Sequence, residues 1–499
     1  MTAILENAAT AHSDNPHHAR RWWVLALLGI AQLMVVLDAT IVNIALPTAQ
    51  ADLGFSDAGR QWIVTAYSLA FGSLLLIGGR VADVFGRKWV FVVGLIGFAL
   101  ASALGGAAGN FGVLVTARAL QGGFGALLAP AGLALLTTTF TDAKERGKAF
   151  GIYGGIAGGG ASLGLLLGGL LTEYASWRWT LYVNLIFAVI AVAGAVLLLH
   201  HRREAVRPKL DLPGTFLVTT GLFFLVYGFS RAETDGWGDT FTVTFLVLAA
   251  VLLGAFAVLQ TRIAHPLLPL RIVLDRNRGG AFLAMLLASA AMFAVFLFLT
   301  YYLQVTLHYS SVKTGAAFLP MTAVLVAAAG VASTVLLARV SPKVLIPAGM
   351  VIGAAGMALL ATIQVDSTYV GKVLPATLVI GLGLGLLFAP SFAIATLGVE
   401  EEDAGVAGAA VNAMQQVGGS IGTALFNTVA ASALAGYLTS HAATATSQES
   451  LINHAAVHSY TVAFWIAAAV LAAGAALTAL VLRPGVVEVP TDGTVVAMH

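Results

Sequence analysis

Fourteen times along this chain an apolar run of about 20 residues or more passes with almost no charge in it, the length a helix needs to cross roughly 30 Å of hydrocarbon. The runs lie near 22–46, 60–79, 89–108, 112–138, 148–171, 178–200, 213–230, 241–261, 279–304, 314–338, 344–363, 372–397, 405–437 and 459–482. In lipid every backbone N–H and C=O must be satisfied within the protein, and continuous runs of this length do so as helices. Composition agrees. Charged residues make up 10% of the 499, against about 25% in a soluble domain. The expected fold class is therefore an all-α polytopic membrane protein with 14 transmembrane helices. The thirteenth run is overlong, so a loop or interfacial portion is expected within it.

Orientation follows from where the basic residues fall. Of the 25 Lys and Arg, nineteen lie in segments on the side of the N-terminus. Five lie on the other side (Arg60, Arg178, Arg231, Lys313 and Lys372), and Arg118 lies within a span. The bias places both termini in the cytoplasm, at a cell membrane that the chain crosses many times. The longest loops are too short for an independent core, so whatever the protein does it does within the bilayer. The chain has no cysteine, which excludes disulfides and thiolate metal sites. Its basic residues gather in no single patch, and no nucleic-acid partner is expected. No HExxH or P-loop is present and no nucleophile elbow stands between a strand and a helix, so no metal site or enzyme is indicated. The glycine-rich stretches at 151–171 and 381–390 do not sit between a soluble strand and helix, so dinucleotide binding fails too.

An ionisable residue inside a span costs at least a few kcal/mol and is a functional hypothesis by default. MVVLDATIVNIALP (34–47) carries Asp38 in the first span, and Arg118 lies in the fourth. Asp38 is roughly 24 Å from the cytoplasmic side, and Arg118 roughly 9 Å from the outer side of a core about 30 Å thick. The two therefore share a level. Tyr67, Gln121 and Asn184 reach a similar depth and could complete one polar layer. A carboxylate held between desolvation and a guanidinium can take a proton from one compartment and release it to the other. Span five repeats glycine at Gly160, Gly164 and Gly168, giving a smooth face for close helix packing. The cluster Glu400, Glu401, Glu402 and Asp403 is expected to be a solvated face.

Several motifs resemble the major facilitator superfamily, and within it the fourteen-span drug–proton antiporters. LDATIVNIALP (37–47) is similar to the family's first-span signature. GGRVADVFGRKWVF (78–91) resembles its hallmark loop, with Gly79, Asp83, Gly86, Arg87 and Lys88 in place, although Val81 and Val84 depart from it. LVTARALQGGFGALLAP (114–130) is similar to the fourth-span motif around Arg118, with Phe124 at a usually small position. Gly151, Gly160, Gly164, Gly168 and Gly169 match the spacing of the antiporter motif, with Leu165 where that motif has proline. SWRWTLYVN (176–184), TYYLQVTLHYSSVKTGAAFLP (300–320) and LLARVSPKVLIPAGM (336–350) extend the likeness over nearly the whole chain.

The resemblance implies two six-helix halves that rock around a central cavity. The boundaries would be a cytoplasmic tail at 1–21, one half at 22–200, a basic linker with two inserted helices at 201–262, the second half at 263–482 and a tail at 483–499. It implies proton coupling at Asp38 and Arg118, and a conformational switch in the loop of Asp83 and Arg87. Cavity candidates are Asn43, Tyr67, Gln121, Asn184, Tyr301, Tyr302, Gln304, Asn412, Gln415 and Gln416. The function implied is efflux of lipophilic or cationic small molecules against proton influx by a monomer, with no cofactor beyond the proton gradient. A carrier of the same fold dedicated to one metabolite, running as a symporter, is the alternative.

Overall fold

The structure, a computed structural model, describes residues 20–55, 57–140, 142–199, 211–263, 266–400, 403–442 and 447–485. Glu401, Glu402 and the side chain of Asn43 lie outside the described residues. Among the described residues, fourteen helices are long and apolar enough to cross a membrane. They are α1 (Arg21–Leu53), α2 (Asp57–Phe85), α3 (Arg87–Gly106), α4 (Phe111–Thr139), α5 (Ala143–Tyr174), α6 (Trp179–Leu198) and α7 (Leu212–Thr234). They continue as α8 (Thr240–Gln260), α9 (Arg276–Ala294), α10 (Ser311–Val331), α11 (Pro342–Leu360), α12 (Leu374–Thr396), α13 (Ala404–His441) and α14 (Gln448–Val481). The helices alternate in direction, so α1 begins and α14 ends on one face, here the terminal face; the opposite one is the far face.

Short polar residues start many of these helices. Asn110, Asp142, Asp211, Asp239, Asp275, Ser310, Ser341 and Ser447 each accept from a backbone N–H in the first turn, satisfying donors a helix start leaves open. Single π-helical turns extend α9 (Val295–Leu299 and Tyr302–Thr306), end α10 (Ala332–Leu336) and open α12 (Tyr369–Val373). The thirteenth run contains no loop. It is one helix of 38 residues, about 57 Å long at 1.5 Å per residue. It pairs with a 34-residue α14 that starts eleven residues before the expected span, because Ser447 caps a stretch, QESLINHAAVH, that continues the helix but is too polar to read as part of a span.

The first six helices pack on one another, with α4 lying between α2 and α3 and α1 seated on α5 and α6. The last six pack likewise around α9, α12 and α14. Two seams join the groups: α5 against α10 and α12, and α13 against α2 and α4. At the terminal face the second seam closes backbone to backbone. A Cβ on Gly79 would lie 2.5 Å from the Gly405 carbonyl oxygen, so only glycine permits this approach of α2 to α13. Helices α7 and α8 pack on each other, and α7 also rests on α2 and α13.

Candidate functional site

The expected polar layer is one connected network. Arg118 Nη1 donates to Asp38 Oδ2 at 2.6 Å and to Gln121 Oε1 at 2.9 Å. Asp38 Oδ1 accepts from Gln121 Nε2 at 2.9 Å and from Asn184 Nδ2 at 2.7 Å. The Arg118 guanidinium lies 4.3 Å from the centre of the Tyr67 ring, which stacks on Phe71. Asp38 is fully buried and Arg118 is 2% exposed, so four helices hold an ion pair away from solvent. A buried pair of this kind is a poor device for stability, since desolvating both ions offsets most of their attraction. Its presence points to chemistry.

Sequence reasoning missed the residue beneath the pair. Ser102 Oγ in α3 accepts from Gln121 Nε2 at 3.0 Å and from Asn184 Nδ2 at 2.9 Å, and donates to the Leu181 carbonyl at 2.8 Å. A serine in a transmembrane helix carries no signal by itself, because most such hydroxyls bond their own backbone. Its removal is a clear test. Ser102→Ala leaves two buried amide donors short of an acceptor, at about 1–3 kcal/mol each. The expected result is a lowered melting temperature in detergent, with the loss largely absent in Ser102→Thr.

The network has a chemical consequence. Three donors converge on the two oxygens of one carboxylate. Arg118 alone occupies Oδ2, so a proton added there would remove the charge that holds the guanidinium and weaken that contact. Protonation and local geometry are thereby tied together. Among the described residues, the Tyr67 hydroxyl, Arg118 Nε and Asn184 Oδ1 are buried without a hydrogen-bond partner. Three such atoms lie around one ion pair, each at a cost of about 1–3 kcal/mol of stability.

Glycine sets the frame. The face of Gly160, Gly164 and Gly168 receives α1 at Val36, Thr40 and Ile41, the turns on either side of Asp38. Gly151 and Gly169 instead face Ser333 and Ser311 in α10 and its π-helical end. Leu165, in the place of the motif's proline, is buried in a helix α5 that runs unbroken from Ala143 to Tyr174. Nearer the terminal face, Tyr153 in α5 donates to Gln32 Oε1 of α1 at 2.8 Å and meets Phe392 of α12 edge-on at 6.1 Å. Neither residue stood out in the sequence.

The loop of Asp83 and Arg87 lies at the terminal face. Asp83 Oδ1 accepts from the Gly405 N–H at 3.2 Å, at the start of α13, and from Arg87 at 3.4 Å. Gly86 holds the loop with a φ of 93°, in the left-handed region. Lys88 donates to the Leu199 carbonyl at the end of α6.

The candidates in the second group are not brought to this network. Tyr302 is fully buried and donates to the Gln364 carbonyl at 2.8 Å, bracing the α11–α12 connection. Tyr301 is 44% exposed beside Tyr460, and the half-buried Gln304 follows in the same π-helical end of α9. Asn412 spends its amide on the Gly408 carbonyl of its own helix. Gln415 is half-buried, and Gln416 faces Gly72 across the α2–α13 seam. The acidic cluster is not simply a solvated face either: Asp403 is 7% exposed and holds Arg271 at 2.7 Å, while Glu400 holds it at 2.8 Å. Among the described residues no group of His, Cys, Asp and Glu is placed to hold a metal ion.

The family model of the Major Facilitator Superfamily matches residues 28–423. The chain is 50% identical over 473 residues to the puromycin resistance protein pur8 of Streptomyces alboniger, covering 94% of this chain and 92% of that one. It is 38% identical to the cephamycin export protein CmcT of Amycolatopsis lactamdurans, covering 87% and 90%. It is 34% identical to the tetracenomycin C resistance and export protein of Streptomyces glaucescens, covering 86% and 79%. Among solved structures, the human organic anion transporter MFSD10 superposes with a TM-score of 0.60 over 91% of this chain and 99% of that one, at 14% identity, a likeness of fold.

Proposed function

The chain belongs to the major facilitator superfamily, and on that premise we propose that it exports antibiotic-like small molecules, coupled to proton influx at Asp38. A member of that superfamily is a multi-pass membrane protein and a secondary transporter, not an enzyme. The observation that carries the coupling is the buried Asp38–Arg118 pair, whose carboxylate loses the charge that holds Arg118 when it gains a proton. The export direction and the class of substrate rest on the relatives named for puromycin resistance, cephamycin export and tetracenomycin C export.

The two six-helix groups act as halves of an alternating-access carrier, with the terminal face in the cytoplasm, where Lys and Arg concentrate. Facing outward, Asp38 takes a proton and Arg118 swings from it. Facing inward, the proton leaves and drug is bound in exchange. The contact of Asp83 and Gly405 at the terminal face is the part that must open for inward access. The protein works as a monomer and uses no cofactor beyond the proton gradient.

Everted membrane vesicles test this reading. Energised vesicles containing the protein should accumulate puromycin, and an uncoupler should abolish the uptake. Expression in a sensitive host should raise its puromycin tolerance. A protein that moves one metabolite with protons and leaves puromycin and lipophilic dyes untouched would overturn the export reading.

A further inference from the structure

The inserted pair α7–α8 spans the seam along which the two halves must part. At its terminal end the side chains form one knot. Asp211 caps α7 at Gly214 (2.8 Å), and its other oxygen accepts from Gln260 Nε2 at the end of α8 (2.6 Å) and from the Leu267 N–H (3.4 Å). Gln260 Oε1 accepts from the Leu268 N–H (3.1 Å). Asp211 and Gln260 are each 4% exposed, so the knot is built in low dielectric. The segment it grips carries Arg271 onto Glu400 and Asp403, immediately before α13. At the far end, Trp237 Nε1 donates to Thr428 Oγ1 of α13 at 2.8 Å.

The hold on the first half is of a different kind. Toward the far end of α2, the hydroxyls of Thr65 and Ser230 meet at 3.1 Å, and the rings of Trp62 and Tyr227 lie 5.8 Å apart. Nearer the terminal face one buried apolar cluster contains Leu76 of α2, Leu222 of α7, Phe256 of α8, Leu267 and Val417 of α13. The hairpin thus touches both halves at the seam. When the far face opens, α2 and α13 separate there, and the hairpin can follow only one of them.

We propose that the α7–α8 hairpin is a clasp that travels with the second half, fixed to it by the Asp211–Gln260 knot and Trp237–Thr428, and that it releases α2 at Thr65–Ser230 each time the far face opens. Asp211 and Gln260 are positioning residues in that cycle. The asymmetry of the two holds sets the direction. A carboxylate knot ties both ends of the hairpin to the short segment that leads into the second half, where Arg271 pairs with Glu400 and Asp403, and an indole hydrogen bond reaches α13, whereas a neutral hydroxyl pair, an aromatic contact and apolar packing on Leu76 face the first.

The proposal rests on the export reading, and the chain's lack of cysteine makes the test clean. Thr65→Cys/Ser230→Cys is joined by oxidation or a short bifunctional thiol reagent. Trp237→Cys/Thr428→Cys is joined by a reagent long enough to span the vacated indole. In vesicles, joining the 65/230 pair should cut puromycin uptake about tenfold or more, as arrested alternating access demands, and reductant should restore it. Joining the 237/428 pair should leave uptake near that of its unjoined form. Full uptake with 65/230 joined, or arrest by the 237/428 bridge, overturns the clasp as described. Uptake by the unjoined variants reports on the export reading separately. Asp211→Ala should move the cross-linking yield of the 65/230 pair toward independence from the proton gradient, an effect that simple loss of stability does not produce.

Discussion

Asp38→Asn should insert in the membrane and reduce gradient-driven efflux to the level of vesicles lacking the protein. The substitution keeps the shape of the side chain and removes both its charge and its ability to carry an exchangeable proton. It also unbalances the network. One oxygen cannot serve Arg118 on one side and the two amides of Gln121 and Asn184 on the other. Turning the introduced amide toward either set of donors leaves N–H facing N–H. The charge left on Arg118, 2% exposed, costs about 3–5 kcal/mol when its partner is lost. Stability and transport must therefore be read separately. Asp38→Asn combined with Arg118→Gln removes both charges and should recover much of the thermal stability with no recovery of proton-coupled efflux. Asp38→Glu keeps a titratable group and should retain activity with a displaced pH profile. Normal gradient-driven efflux by Asp38→Asn would falsify the assignment.

The second large effect is at Gly164. A Cβ there would run into Thr40 Oγ1 and lie 3.1 Å from the Leu37 carbonyl oxygen, and these two residues flank Asp38 along α1. Overpacking of this kind costs about 1–3 kcal/mol, and α1 relieves it by moving off α5. That movement carries Asp38 with it. A misplacement of about 1 Å at a reacting group can cost about 10²-fold in rate. Gly164→Val should accordingly lose nearly all efflux with a smaller loss of folded protein. The hydroxyl of Thr40 is the nearest obstacle, so Gly164→Ala should be impaired and Gly164→Ala/Thr40→Ala partly restored. An active Gly164→Val, at wild-type rates in the same vesicle assay, would show that α1 is not seated by this face.

Much of the site was legible because lipid makes polarity conspicuous. Asp38 and Arg118 stand out in their spans, and the regular rise of a helix turns sequence position into depth. Depth alone placed Tyr67, Gln121 and Asn184 at the same level, and the structure joins all of them to the pair or sets them against it. Depth does not show rotation about the helix axis. Tyr301, Tyr302 and Gln304 have polar tips at a plausible level, yet two of those side chains turn to Tyr460 and to a loop carbonyl. Ser102, Gln32 and Tyr153 were invisible for the opposite reason: residues so ordinary acquire meaning only from the groups they meet. Asp403 read as part of a solvated acidic run because Arg271, 132 positions away, is nowhere near it in sequence.

Hydropathy and the placement of Lys and Arg are local properties. They suffice for an all-α polytopic chain of fourteen spans, and the cost of charge in lipid singles out Asp38 and Arg118. Which groups touch depends on how helices rotate and how closely they approach, and that depends on surfaces contributed by distant segments. The meeting of α1 with the glycine face of α5, the backbone contact of Gly79 with Gly405, and the seating of α7–α8 over the α2–α13 seam therefore emerge only in the folded molecule. Each requires two complementary surfaces, and a single stretch of sequence carries one of them.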